Sequence, residues 1–115
     1  MGKKVVWFSR HDPLPSQVTE LRRLFGPDVQ IVQDPKPFSN AEDIVTRFKA
    51  AGGDEMVVVA PLSVLGRLVD LDIKPLWAEM EQVPPEQAEV SAAGRHYRFV
   101  RFRRVKRLTL EFEEV

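Results

Sequence analysis

The sequence predicts an α/β domain. Two observations carry this: over residues 1–83, short apolar β-branched segments alternate with amphipathic helical segments, and Gly or Pro marks most of the changes. A third is that the texture switches to hairpin-like strands over residues 86–115, after Pro84 and Pro85 break the alternation. Strands alternating with helices predict a mainly parallel sheet with helices on both faces, here extended by C-terminal antiparallel strands. A chain of 115 residues fits one domain whose core needs neither metal nor disulfide.

Lys4 to Ser9 is a short apolar run with the look of a strand buried on both faces. Pro15 suits a first helical turn, and Leu14, Val18, Leu21, Leu24 and Phe25 recur at helical spacing until Gly26 and Pro27 stop the helix. Val29–Val32 reads as a second strand, followed by the loop Asp34 to Phe38. Ser39 and Glu42 have capping-box spacing before a helix carrying Ile44, Val45 and Phe48, which ends at Gly52 and Gly53. Met56–Ala60 is the clearest strand. Pro61 opens a third helix with Leu62, Leu65, Leu68 and Val69 on its apolar face, and Ile73–Ala78 reads as a fourth strand. In the C-terminal part a turn is expected at Ala93 and Gly94. Tyr97 and Phe99 are expected on one face of the next strand, with Val100 and Phe102 on the other. A last strand alternates Leu108, Leu110 and Phe112 against Thr109, Glu111 and Glu113. Together these elements predict a small Rossmann-like or flavodoxin-like three-layer domain spanning residues 1–115.

The formal net charge is zero, from 17 basic and 17 acidic side chains, yet the distribution is uneven. Residues 1–94 hold 10 Lys/Arg against 14 Asp/Glu, whereas residues 95–115 hold 7 against 3. A basic block of that density suits a phosphate-bearing partner, because cations that neutralise phosphates release condensed counterions. Cross-strand pairing with acids, Glu111, Glu113 and Glu114 among them, is the alternative. The absence of Cys excludes disulfides, thiolate metal sites and a cysteine nucleophile. The run Val5 to Phe8 is too short for a signal peptide or a membrane span, so a cytoplasmic protein with no membrane partner is expected.

In an open parallel sheet ligands bind outside the carboxyl ends of the strands, near the reversal of strand order. That rule selects three loops: Ser9, Arg10, His11 and Asp12 after the first strand; Asp34 and Lys36 after the second; Pro61 and Ser63 after the third. Only the first combines a planar phosphate-gripping fork, Arg10, with a proton-transferring group, His11. The plainer reading is that Asp12 stiffens the turn before Pro13 and His11 is merely exposed. No dinucleotide fingerprint, Walker sequence, metal-spaced His pair or nucleophile elbow is present, so no cofactor and no metal is expected. Glu79 and Glu81, two residues apart, form a pair able to meet a divalent ion, or else a solvated strand end.

The strand ending in Phe8, Ser9, Arg10, His11, followed by Leu14, Pro15, Ser16 and Gln17, resembles the start of small stand-alone CRISPR-associated proteins with Rossmann-like folds, of the CARF or ring-nuclease type. The match covers about the first 17 residues and the overall topology. The resemblance implies a homodimer that holds a cyclic oligoadenylate at the carboxyl ends of its strands. It also implies metal-independent cleavage with a ribose 2′-hydroxyl as nucleophile, in prokaryotic defence. In that scheme His11 is general base or acid, Arg10 and Lys36 clamp phosphate, and Ser9 and Ser63 hydrogen-bond the backbone. Two other readings stand beside it. One is a non-catalytic nucleic-acid-binding module that uses Arg98, Arg101, Arg103, Arg104, Lys106 and Arg107 on single-stranded RNA or DNA. The other is a homodimeric interaction protein whose C-terminal strands pair with those of a second copy.

Overall fold

β1 (Lys4–Phe8) lies inside the sheet, with β2 (Gln30–Gln33) on one side and β3 (Glu55–Val58) on the other, both parallel to it. This computed structural model describes residues 2–109 and 113–115. β4 (Leu76–Gln82) continues the parallel run beyond β3, and β6 (Arg95–Arg104) and β5 (Val90–Ala92) close the sheet antiparallel. The strand order is β2-β1-β3-β4-β6-β5, a mixed six-stranded sheet. Three helices complete the domain: α1 (Pro15–Phe25), α2 (Ala41–Ala50) and α3 (Leu62–Asp70).

The pleat of β1 sorts its side chains between two cores. Val6 and Phe8 join Met56, Val58, Ile44 of α2, and Leu65 and Leu68 of α3. Val5 and Trp7 join Val57, Leu76 and Leu21 of α1. Val5 to Phe8 are all buried, as a strand covered on both faces requires, and each such side chain contributes about 1.5–3 kcal/mol by leaving water. Gly53 holds a close approach in the first core: a Cβ there would lie 2.5 Å from Phe48 Cε1 and 2.7 Å from Val6 Cγ2.

Several elements depart from the sequence expectation for local reasons. The N-cap of α2 is Asn40 rather than Ser39: Asn40 Oδ1 accepts the Asp43 N–H at 2.8 Å, while Ser39 N–H donates to Asp43 Oδ2. Leu62 is 65% exposed, because the buried stripe of α3 starts one turn later, at Leu65. β4 begins at Leu76 instead of Ile73. Asp72 turns the chain at φ 64°, and the Ile73 N–H donates to the Leu68 carbonyl, so residues 72–75 finish the helix before a strand starts. The hairpin turn falls at Ala93 and Gly94 as expected, both at positive φ.

Phe99 and Phe102 share one face, contrary to strict alternation. A β-bulge opposite Glu79 and Met80 inserts Val100, and the two rings then sit 4.8 Å apart on the α1 side, with Phe102 edge-on to Trp7. Glu89 completes that bulge. Its Oε1 accepts the Phe99 N–H at 2.7 Å, and its Oε2 accepts the Ser16 hydroxyl at the start of α1. Leu108, Thr109 and Glu113 of the expected last strand lie outside any strand, and Leu110, Glu111 and Phe112 lie outside the described residues. Among the described residues, no helix is long and apolar enough to cross a membrane.

Candidate functional site

The chain leaves β1 leftward to β2 and returns over the sheet to β3, so strand order reverses at β1. A cleft of about 470 Å³ opens at the carboxyl ends of these three strands. Ser9, Arg10, His11 and Lys36, four of the residues selected from the sequence, line it together. Ser63 sits exposed in the first turn of α3 and is not among the lining residues. Phe8, Phe38, Pro35, Pro37 and Val59 supply apolar walls, and among the described residues no carboxylate lines the cleft.

The first wall is fixed through its backbone. Trp7 Nε1 donates to the His11 carbonyl at 2.9 Å, Gln33 Nε2 donates to the Ser9 carbonyl at 3.1 Å, and the His11 N–H donates to Ser9 Oγ at 3.1 Å. The Ser9 hydroxyl closes a local turn and still keeps its own proton to donate. Arg10 and His11 point their side chains outward, both exposed, from a loop whose carbonyls are pinned.

The second wall is held by Arg47 of α2. Its guanidinium donates to Asp34 Oδ1 at 3.3 Å, the Lys36 carbonyl at 3.1 Å and the Pro37 carbonyl at 2.5 Å, and to Asp43 Oδ2 at 2.6 Å. Asp34 Oδ1 also accepts the Lys36 N–H at 3.2 Å, an Asx-turn that presents Lys36 to the cleft. Because Arg47 faces Asp34, that carboxylate is compensated before it can oppose an anionic ligand. The Arg47 hydrogen bond, reinforced by the Ser39 N–H, holds the Asp43 carboxyl below its ordinary value, and Asp43 in turn raises Arg47. At the preceding residue of α2, Arg67 of α3 does the same to Glu42, across 2.6 Å.

No family model, curated protein or solved structure matches this chain.

The C-terminal cations occupy a different region. Arg98 pairs with Glu81, Arg101 and Arg103 share Glu79 at 3.6 and 2.5 Å, and Arg104 meets both Glu55 oxygens at 2.9 and 3.1 Å. The acids opposite these four arginines come from β3 and β4. Glu79 and Glu81 are thereby engaged, and among the described residues no group of three metal-ligating side chains forms. Lys106 and Arg107 follow β6, exposed.

Trp7, Gln33 and Arg47 are the residues that sequence reasoning missed. Trp7 reads as core and Arg47 as a helix surface charge; Asp34-Pro35 signals a turn but not the guanidinium that holds it.

Proposed function

We propose that the protein binds the phosphate of a nucleotide or RNA in the cleft at the carboxyl ends of β1, β2 and β3. The observation that carries this reading is the convergence of Arg10, His11, Ser9 and Lys36 on one cleft that, among the described residues, no carboxylate lines. Arg10 offers a bidentate fork and Lys36 a point charge, while Ser9 offers a hydroxyl donor. The apolar walls suit a base or ribose face. The fold reading that accompanies it is a Rossmann-like or flavodoxin-like three-layer domain. It is supported by the parallel order β2-β1-β3-β4 and by helices packed against both faces.

The narrower form of the reading is a metal-independent cyclic oligoadenylate phosphodiesterase, acting as a homodimer in prokaryotic defence; it rests on the resemblance of the first 17 residues. In it His11 accepts the proton of a ribose 2′-hydroxyl, whose oxygen attacks the adjacent phosphorus. The P–O5′ bond breaks, leaving a 2′,3′-cyclic phosphate and a 5′-hydroxyl protonated by water.

Incubation of the protein with cyclic oligoadenylates and a linear RNA in EDTA, followed by chromatography, tests the narrower form. Cleavage of rings alone is the expected result, and both substrates returned intact overturns it. Equilibrium binding of the same ligands tests the broader form: Arg10→Ala and Lys36→Ala are expected to weaken affinity, and undiminished affinity in both overturns the cleft as the site.

A further inference from the structure

The second feature of the molecule is the face of β4 and β6 turned away from α1. Leu76 joins the core beneath α1, so its neighbour Trp77 points to the opposite side, the side of α2 and α3. The cross-strand register then places Trp77 opposite Arg103, Glu79 opposite Arg101 and Glu81 opposite Arg98. The bulge at Val100 keeps all three arginines on this side and sends Phe99 and Phe102 to the other. Among the described residues no helix covers the face: Trp77 is 44% exposed, and the side chains of Arg101 and Arg103 are each 58% exposed.

Three guanidiniums meet two carboxylates there, and Arg101 and Arg103 divide one of them, Glu79. Exposed pairs of this kind are weak and screened, and each guanidinium has five N–H donors, so the pairs orient the arginines without using up their capacity. More positive charge borders the face. Leu108 Cδ1 lies 3.7 Å from the point a Cβ on Gly66 would occupy, so the segment after β6, with Lys106 and Arg107, folds back beside α3 on this same side.

We propose that this open face is a docking surface for single-stranded nucleic acid, distinct from the cleft. A base stacks on the Trp77 indole while Arg98, Arg101 and Arg103 take successive phosphates, with Lys106 and Arg107 extending the track. The charge excess fits a polyanion, and an open sheet face with an exposed aromatic fits unpaired bases; duplexes offer no base face to stack on. Arg104 has no part in it, because its fork is engaged by both Glu55 oxygens and the Lys74 carbonyl at the sheet's end.

Two tryptophans with different surroundings make the test direct: Trp77 is 44% exposed and Trp7 only 4%, so quenching that is lost in Trp77→Leu reports on Trp77, and quenching that survives there reports on Trp7, which is bonded to the cleft loop. The full chain is titrated with single-stranded RNA of about 12 nucleotides, reading tryptophan quenching and the anisotropy of a labelled strand. Quenching is expected, with affinity falling about 5- to 150-fold in Trp77→Leu. In Arg101→Gln/Arg103→Gln the slope of log affinity against log salt is expected to fall by about one per lost phosphate contact. Because Trp77 and both arginines are exposed, these variants fold, and a thermal melt verifies it. Absence of binding by the unaltered chain overturns the proposal. Binding kept in Trp77→Leu but lost in Arg10→Ala moves the RNA to the cleft and also overturns it, while leaving the cleft reading intact. A dimeric mass without RNA that Trp77→Leu reduces to a monomer assigns the face to a second copy instead, with the same consequence.

Discussion

The indole nitrogen of Trp7 donates to the carbonyl of His11 at 2.9 Å, joining a core side chain of the central strand to the loop that carries Arg10 and His11. The bond makes the loop's position depend on the core. In Trp7→Phe the ring stays buried but the donor is lost, leaving the His11 carbonyl to water. We expect a stability loss of about 1 kcal/mol in urea denaturation, with weaker ligand binding in the cleft. A variant as tight-binding as the parent would show that the loop is positioned by other contacts.

His11→Ala tests the chemistry instead of the scaffold. The imidazole makes no hydrogen bond or ion pair among the described residues; the loop uses only its backbone N–H and carbonyl. Thermal stability is therefore expected to stay within about 0.5 kcal/mol of the parent, while ring cleavage is abolished. Equal turnover by the variant removes His11 from the reaction.

Arg47 separates positioning from stability. Arg47→Lys keeps a charge beside Asp43 but has no planar fork to reach Asp34 and the Lys36 and Pro37 carbonyls together. We expect melting temperature to be largely recovered relative to Arg47→Ala, with affinity for a phosphate ligand remaining reduced in both. If affinity follows melting temperature across the pair, Arg47 is structural only.

How much of this was legible in the sequence depends on whether local or distant residues decide. The alternation of strands and helices was readable because Val5–Phe8 and Met56–Val58 are continuous apolar runs bounded by turn residues. That Ser9, Arg10, His11 and Lys36 gather at one end of the sheet was readable because the loops that follow parallel strands meet there. The supports of that cleft were not, since Trp7 and Gln33 act through one hydrogen bond each and Arg47 through several, all to partners the sequence does not announce. The bulge at Val100 was likewise hidden. A one-residue insertion in the ladder is set by pairing with β4 and by the Glu89 carboxylate, and period-two reading of Tyr97 to Phe102 cannot register it.

Acid stability follows from the carboxylates around α2. Asp43 is held below its ordinary value of 3.8, first by Arg47, and Glu42 below its ordinary 4.5, first by Arg67. A carboxylate whose folded value is depressed binds fewer protons in the folded chain than in the unfolded one. Its contribution is therefore complete above those ordinary values and is lost as pH falls through the lowered ones. Both groups are solvent-accessible, so salt screens the effect. Melting temperature is expected to hold near neutrality and to decline as pH drops below about 4.5, with Asp43→Asn starting lower at pH 7 and declining less steeply. The decline is also expected to shrink in high salt. Parallel curves for the parent and Asp43→Asn would mean that the Arg47 pair does not govern acid stability and that other carboxylates do.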